Sequence, residues 1–273
     1  MSDLEQADEK QKKAVFGTKE WAEGTADCFK GCANDCSYCY AKAEGARFGR
    51  KDPATWTKPD PWPGAIEKAL KTKPSKIMFP AHHDITMDNL MVCAEAMRKL
   101  LNAGHDLLVV SKPMAKCVMA LCGMFSDAKD KILFRFTIGS ANNATLLLWE
   151  RCAPSFDERM ASLIFAYNCG FKTSISCEPM LDNEVELVVG RVLPYVTDAV
   201  WIGKPNYLMQ RLSLNKVTDP AVLSAAEKLL TDLSDERIWA IYNTYKDNEH
   251  VRWKESVKKI VGIEVPTTPG LDV

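Results

Sequence analysis

Short apolar runs alternate with amphipathic segments from Gly24 to residue 204, and glycine or proline marks most of the turns between them. Such an alternation is typical of a parallel sheet with helices on its faces. It therefore predicts an α/β fold. The six predicted strands lie at 25–29, 76–81, 106–111, 132–139, 172–178 and 199–203.

Two arrangements are compatible with the six strand–helix units. Right-handed crossovers would curl them into an open (β/α)6 partial TIM barrel, although an open doubly wound sheet fits the same order. Beyond Lys204 the pattern changes to helices, predicted at about 219–232 and 235–260. The chain is accordingly divided into an N-terminal extension (1–20), a barrel core (21–204) and a helical C-terminal extension (205–273) that we expect to contribute to the substrate site.

Charge and hydropathy limit the classes of partner that we expect the chain to bind. The 35 basic and 36 acidic residues leave a net charge of −1, so there is no broad positive field, and a nucleic-acid partner would need a local patch. The N-terminal segment lacks the apolar stretch of a secretion signal, and no run approaches the roughly 18 apolar residues of a membrane span. We expect a cytoplasmic protein without a membrane partner, in which the ten cysteines are reduced.

Four cysteines fall within the segment DCFKGCANDCSYC, at positions 28, 32, 36 and 39. Thiolates at such short spacings on a loop can converge on one metal centre, whereas structural cysteines are usually scattered. The loop follows the first predicted strand, at the edge of the sheet where α/β folds place ligand sites. The spacing therefore predicts a metal site.

The motif Cys32-x3-Cys36-x2-Cys39, with Tyr38 before the third cysteine and Tyr40 after it, resembles the signature of the radical S-adenosylmethionine superfamily. The resemblance implies that these cysteines bind a [4Fe-4S] cluster, that S-adenosylmethionine chelates the fourth iron, and that Tyr38 lies at the cofactor. An electron from a donor such as flavodoxin or ferredoxin would cleave the cofactor to a 5′-deoxyadenosyl radical, which abstracts hydrogen from the substrate. The reaction class, lyase or transferase, stays open.

Cys28 leaves a second interpretation. All four cysteines could close a structural zinc site, which needs no open position, and the chain would then be a non-catalytic zinc or iron-sulfur adaptor. Because Cys28 lies near the end of a predicted strand, we expect it outside the cluster.

A second resemblance covers residues 132–180, which are similar to the spore photoproduct lyase branch of the superfamily and its uncharacterised relatives. The resemblance extends over about residues 24–204 and suggests a nucleobase or nucleic acid as substrate. It also implies a cofactor role for Glu150 and Arg159. The positions that match the branch's pattern are Glu150, Pro154, Ser155 and Arg159.

Polar and apolar residues alternate along the fourth and fifth predicted strands. Thr137 and Ser176 are expected to point into the barrel, whereas Phe134 and Phe136 face the helices. Inward polar side chains suit a cavity for a zwitterionic nucleoside, although hydrogen-bonded polar core residues are the alternative. The candidate cofactor-binding residues on this wall are Lys112, Thr137, Ser140, Asn142, Ser176 and Glu178.

Three residues are candidates for catalysis. His82 and His83 follow the second predicted strand, where the superfamily often has glycines, and one of them could act in catalysis or bind a second metal with Asp84. Cys177 could return hydrogen to a product radical, as a cysteine does in the lyase branch, although its predicted direction is outward.

Aromatic residues recur at roughly helical spacing near the C-terminus. They could stack on bases, or they could pack against the barrel. The residues are Trp239, Tyr242, Tyr245 and Trp253.

Overall fold

A sheet of seven parallel strands forms the centre of the computed structural model, which describes residues 14–271. The sheet has the order β1-β4-β5-β6-β7-β8-β9, and β2 and β3 form a separate antiparallel pair. The strands are β1 (Gly24–Thr25), β2 (Phe29–Lys30), β3 (Asp60–Pro61), β4 (Lys76–Phe79), β5 (Asp106–Ser111), β6 (Ile132–Thr137), β7 (Lys172–Cys177), β8 (Val200–Ile202) and β9 (Val251–Trp253).

Helices connect successive parallel strands and cover the outer face of the sheet. Within residues 14–271, none has the length and apolar character needed to cross a bilayer. The helices are α1 (Tyr40–Arg47), α2 (Pro63–Leu70), α3 (Leu90–Asn102), α4 (Ala115–Met124), α5 (Asn143–Trp149), α6 (Phe156–Asn168), α7 (Val185–Val192), α8 (Leu208–Leu214), α9 (Pro220–Asp232), α10 (Asp235–Tyr245) and α11 (Glu255–Val261).

The two faces of the sheet carry different residues, as the alternation along the strands predicts. Phe134 and Phe136 of β6 are buried against the helices in the main core. Arg135, between them, points inward, where it donates to Ser174 and stacks on the rings of Trp21 and Trp201. The predicted α/β partial TIM barrel is therefore confirmed.

The barrel is open between β1 and β9, the two edges of the sheet. Side-chain contacts, and not backbone pairing, link the two edges across this gap. Lys254, directly after β9, lies 2.8 Å from Glu20, which precedes β1, and also donates to the carbonyl oxygen of Gly17 at 2.9 Å. Both charged side chains of this pair are 1% exposed.

The predicted C-terminal helix over 235–260 is wrong, because the chain leaves the helical conformation at Lys246 and forms β9. The Asn248 side chain accepts from the backbone of His250 at 2.9 Å, a local turn that competes with helix. Val251–Trp253 then pairs in parallel with β8. A strand of three residues is too short for an alternation signal, so the sequence predicts six strands where seven form.

Only the first part of the predicted strand 25–29 joins the central sheet. After Thr25 the chain turns, and the Asp27 carboxylate accepts hydrogen bonds from the backbone of Ala81 and His82. Phe29–Lys30 pairs with β3 instead. This turn brings the cysteine loop over the carboxyl ends of the parallel strands.

Candidate active site

A cavity of about 1150 Å³ opens at the carboxyl ends of the parallel strands. Cys32, Cys36 and Cys39 all line it, and Cys28 does not. Of the predicted cofactor-binding residues, those on the cavity wall are Tyr38, Lys112, Thr137, Ser176 and Glu178. The fold thus brings the three cysteines and the inward polar residues of separate strands to one site.

The conformation of the cysteine loop follows from its neighbours. A side chain at Gly31 would meet the carbonyl oxygen of Trp56 at 2.6 Å, and its φ of +104° also favours glycine. The backbone of Cys32 donates to that same oxygen at 3.0 Å. At the other end, the Cys39 thiol caps α1 by accepting from the backbone of Lys42 at 3.4 Å.

The surroundings of the three thiols disfavour the free thiolate form. Burial raises the pKa of Cys32, Cys36 and Cys39 above the ordinary value, and the nearby carboxylate of Asp84 adds to the effect. Metal ligation requires the deprotonated thiolate. These thiols would therefore need the positive charge of a bound metal to ionise near neutral pH.

The distances between candidate ligand atoms bear on the kind of metal centre that a site can hold. In a mononuclear site each sulfur lies about 2.3 Å from the metal, so all of the ligand atoms lie close to one another. Among residues 14–271 such a group, with atoms within 4.8 Å, consists of Cys28, His83 and Cys93. That group does not include Cys32, Cys36 or Cys39. A [4Fe-4S] cluster, in which each thiolate binds a different iron, does not need its ligand atoms so close together.

Cys28 is packed outside the cavity and contacts His83, which lines the cavity. Cys28 donates its backbone N–H to Nε2 of His83 at 3.1 Å, and Nδ1 of His83 is 3.1 Å from the carbonyl oxygen of Asp84. A hydrogen bond with Cys93 lowers the pKa of the Cys28 thiol, against the raising effect of burial. Because both ring nitrogens of His83 are engaged by backbone groups, neither offers a lone pair to a second metal.

Asp84 links the cysteine loop to the strand ends, and sequence reasoning did not select it as a cofactor or cluster residue. Its carboxylate accepts from Asn34 at 2.9 Å, from the Ser111 hydroxyl at 3.0 Å and from the backbone of Lys112 at 2.7 Å. Burial would raise the pKa of Asp84, but Lys112 and these donors outweigh it and lower the pKa. The backbone of Asp84 also donates to the Cys32 sulfur at 3.4 Å. The signal that could have found it is its place after a strand end.

Glu150 and Arg159 lie behind the cysteine loop and do not line the cavity. Their side chains are fully buried and form an ion pair, and the Tyr38 hydroxyl donates to Glu150. Arg159 also donates to the carbonyl oxygens of Thr137 and Pro154, at 3.1 and 2.9 Å. The pair thus fastens the cysteine loop to the end of β6, which is a different role from the predicted cofactor contact.

Three other candidates lie away from the cavity wall. The Ser140 hydroxyl donates to Asp182, and the Asn142 side chain caps α5 by accepting from the backbone of Ala144 at 2.8 Å. Cys177 is fully buried in the core between sheet and helices, where burial raises the pKa of its thiol. Its direction follows from the alternation along β7, on which Ser176 faces the cavity.

His82 lines the cavity as His83 does, but its imidazole pairs with carboxylates instead of backbone groups. Nδ1 lies 2.7 Å from the Asp27 carboxylate, which is 3% exposed, and Nε2 lies 3.9 Å from Glu44. The rings of Tyr40 and Trp62 flank it, at 5.8 and 6.4 Å between centroids. The carboxylate fixes the ring so that one nitrogen is held and the other can exchange a proton.

Solved structures with the same fold are found, although neither a protein-family model nor a curated protein matches the chain. Spore photoproduct lyase with bound AdoMet and dinucleoside spore photoproduct is 17% identical with a TM-score of 0.54, and the match covers 84% of this chain and 67% of that one. The chain has the fold of spore photoproduct lyase. The resemblance to the lyase branch is thereby confirmed at the level of the fold.

A second neighbour supports the same architecture. SuiB of Streptococcus suis, bound to S-adenosylmethionine, is 9% identical with a TM-score of 0.52, and the match covers 91% of this chain and 54% of SuiB. The chain therefore spans about two thirds of the length of the lyase and about half that of SuiB.

In this lyase fold, the C-terminal region also holds the cysteine loop. Asn215, at the end of α8, donates its side-chain amide to the carbonyl oxygens of Ser37 and Cys39 at 2.8 and 3.0 Å. These two partners lie 178 and 176 residues earlier in the chain. The side chain of Asn215 is buried. Nothing in the local sequence marks this asparagine, because its partners are backbone atoms distant in the chain.

Asn215→Leu should destabilise the protein by about 1–3 kcal/mol, since it leaves two loop carbonyls without their donors. Urea unfolding of the reconstituted protein measures the change. The matched control is Asn243→Leu, at an exposed position on α10, which should stay within about 0.5 kcal/mol of the unsubstituted protein. Equal effects of the two variants would contradict the clamping role of Asn215.

The pH dependence of His82 follows from Asp27. Burial alone would lower the pKa of His82, but the hydrogen bond and charge of Asp27 outweigh it and raise the pKa above the ordinary value. The stabilisation from this pair is thus complete below the unfolded pKa of His82 and is lost as pH rises through the folded pKa.

An NMR titration of the imidazole should place the His82 midpoint above its value in Asp27→Asn, where burial still lowers the pKa and the largest raising effect, that of Asp27, is removed. Identical midpoints in the two proteins would show that the carboxylate does not control the ring.

Proposed function

We propose that the protein is a radical S-adenosylmethionine enzyme. The observation that carries the proposal is the placement of Cys32, Cys36 and Cys39 on one cavity at the carboxyl ends of the strands, with Cys28 excluded from it. The spacing of these cysteines matches the superfamily signature. Two proteins that share the fold have structures with S-adenosylmethionine bound, which supports the same cofactor here.

The residues of the cavity have separate tasks in this proposal. The three cysteines would hold a [4Fe-4S] cluster, with one iron left for the cofactor. When bound, the cluster and S-adenosylmethionine supply an electron and the 5′-deoxyadenosyl radical that takes hydrogen from the substrate. Lys112 offers a cation to the cofactor carboxylate, and Thr137, Ser176 and Glu178 offer hydrogen bonds to its polar groups. Tyr38 and Asp84 keep the loop in position.

Reduction of the cluster requires a partner. We propose a small electron-transfer protein such as flavodoxin or ferredoxin, as the superfamily resemblance implies.

The substrate class that we propose is a molecule with a nucleobase. The lyase that shares the fold has been seen with a dinucleoside spore photoproduct. Exposed aromatic rings at the cavity rim also support it, because every base can stack on such a ring: Phe48 is 57% and Tyr207 76% exposed.

The aromatic residues near the C-terminus serve packing instead. Trp253 contacts Tyr242 at 5.2 Å between ring centroids, and Tyr242 contacts Trp239 at 5.8 Å. None of these residues lines the cavity. We therefore interpret these aromatic residues as packing residues and not as residues that stack on a base.

Anaerobic reconstitution with iron and sulfide tests the proposed function. The reconstituted and chemically reduced protein should convert S-adenosylmethionine to methionine and 5′-deoxyadenosine, even without substrate. Stoichiometric zinc after aerobic purification, together with no cofactor binding and no cleavage after reconstitution, would instead identify a metal-binding adaptor.

A further inference from the structure

We infer that Arg211 binds an anionic group of the substrate, a phosphate or a carboxylate, within the same cavity. The inference rests on the proposed function, since it assigns the region beside the cysteine loop to the cofactor. Arg211 lies on α8 and lines the cavity together with Tyr207 and Gln210.

The cavity has room for a second molecule. Its volume of about 1150 Å³ exceeds the roughly 300–1,000 Å³ of a site for one ligand of drug size, and S-adenosylmethionine is a ligand of that size. One wall consists of the cysteine loop and strand ends. The wall continues from the cysteine loop along the α8 region to Gln210 and Tyr207, which are exposed and so reach the solvent.

The side chain of Arg211 is a partly buried cation that makes no hydrogen bond and no ion pair with any residue between 14 and 271. The guanidinium lies over the face of the Tyr40 ring, 5.9 Å from the centroid. The other arginines that are buried or partly buried all donate hydrogen bonds to protein oxygens: Arg98, Arg135, Arg159, Arg237 and Arg252.

The surroundings of Arg211 leave its charge only partly compensated. Burial lowers the pKa of the guanidinium, and Glu178, the Cys39 thiol and Tyr40 oppose that shift without cancelling it. An arginine stays protonated nonetheless. Its donors are therefore partly withdrawn from water without a protein acceptor, which is unfavourable until a ligand supplies one. A carboxylate or phosphate satisfies two donors at once.

Because Lys112 is available to the cofactor carboxylate, we assign the anion at Arg211 to the substrate. Lys112 stands beside the cysteine loop, 5.9 Å above the ring of Tyr38 and 3.6 Å from Asp84, where the proposed function places the cofactor. Arg211 comes from a helix outside the sheet, next to the exposed rim. The cofactor carboxylate thus has its own cation, and the free guanidinium remains for the second molecule.

Calorimetric titrations of the reconstituted protein with inorganic phosphate, and with acetate in a parallel series, test the inference. Arg211→Met should weaken binding of the favoured anion at least about tenfold, and Arg211→Lys less, because it keeps the charge but loses the bidentate geometry. The matched control is Arg191→Met. Arg191 also lies over an aromatic ring, Phe156, but is exposed and outside the cavity. It should change the affinity by less than about twofold.

A second titration, with S-adenosylmethionine and reconstituted protein, separates the two sources of anion. The inference expects Arg211→Met to bind the cofactor as the unsubstituted protein does. Loss of cofactor affinity in this variant would assign Arg211 to the cofactor and overturn the inference, as would anion affinities unchanged by the substitution. Failure of the unsubstituted protein to bind the cofactor would instead contradict the proposed function, whatever the anion titrations give.

Discussion

Cys36→Ala should yield a folded protein that retains no [4Fe-4S] cluster and cleaves S-adenosylmethionine at least about a hundredfold more slowly. Cys36 supplies one of three thiolates at the cavity wall, and within residues 14–271 no other cysteine lines the cavity to replace it. Because a cluster bound by two protein ligands is labile, the loss should be nearly complete. Iron and sulfide analysis and the charge-transfer absorbance measure the cluster, and 5′-deoxyadenosine formation measures cleavage.

Cys28→Ala is the matched control within the same loop. Cys28 is buried next to His83 and Cys93 and lies outside the cavity. Its removal should leave the iron content and the cleavage of the cofactor close to those of the unsubstituted protein. If Cys28→Ala lost as much iron as Cys36→Ala, the three-cysteine ligand set would be wrong.

Arg159→Met should destabilise the protein by about 3–5 kcal/mol, because it leaves the Glu150 carboxylate buried without its counter-charge. Both side chains are fully buried, and Glu150 also holds the hydroxyl of Tyr38 in the cysteine loop. Nearby Lys112, 4.0 Å from Glu150, compensates only in part. Urea unfolding measures the loss of stability, and the iron bound after reconstitution reports the state of the loop.

The double variant Glu150→Gln, Arg159→Met separates loss of the ion pair from loss of packing. It removes the uncompensated charge, so it should be more stable than Arg159→Met alone. Tyr38→Phe, which removes a single donor to Glu150, should cost about 1–2 kcal/mol. A double variant no more stable than the single one would contradict the electrostatic explanation.

The alternation of residues predicts the strands and their faces because it records which side of each strand is buried. Arg135 and Thr137 point inward and Cys177 points outward, as the period of two along β6 and β7 requires. The cysteine spacing likewise predicts the position of the site, since ligands close in sequence remain close in the fold.

The alternation of polar and apolar residues does not predict where side chains point beyond the end of a strand. Ser140 and Asn142 were expected to contact the cofactor, but they follow β6 after the chain has turned, and their side chains satisfy local backbone and side-chain groups. Glu150 and Arg159 match a family pattern that carries no direction, so sequence could not tell a buried pair from cavity residues.

The features that sequence did not predict depend on contacts over long separations. Asn215 holds backbone carbonyls of the cysteine loop from the C-terminal region, and β9 exists because β8 offers an edge to a segment of three residues. Arg211 has no local signal either, because its distinguishing property is a guanidinium that finds no hydrogen-bond acceptor among residues 14–271 of the folded chain.

Electron paramagnetic resonance of the reduced, reconstituted protein, recorded with and without S-adenosylmethionine, tests the central claim most directly. The account predicts the signal of a reduced [4Fe-4S] cluster whose g values change on addition of the cofactor, because one iron has no protein ligand. The signal should be absent in Cys36→Ala and present in Cys28→Ala. A cluster signal that the cofactor leaves unchanged, or a protein that binds zinc and no iron, would contradict it.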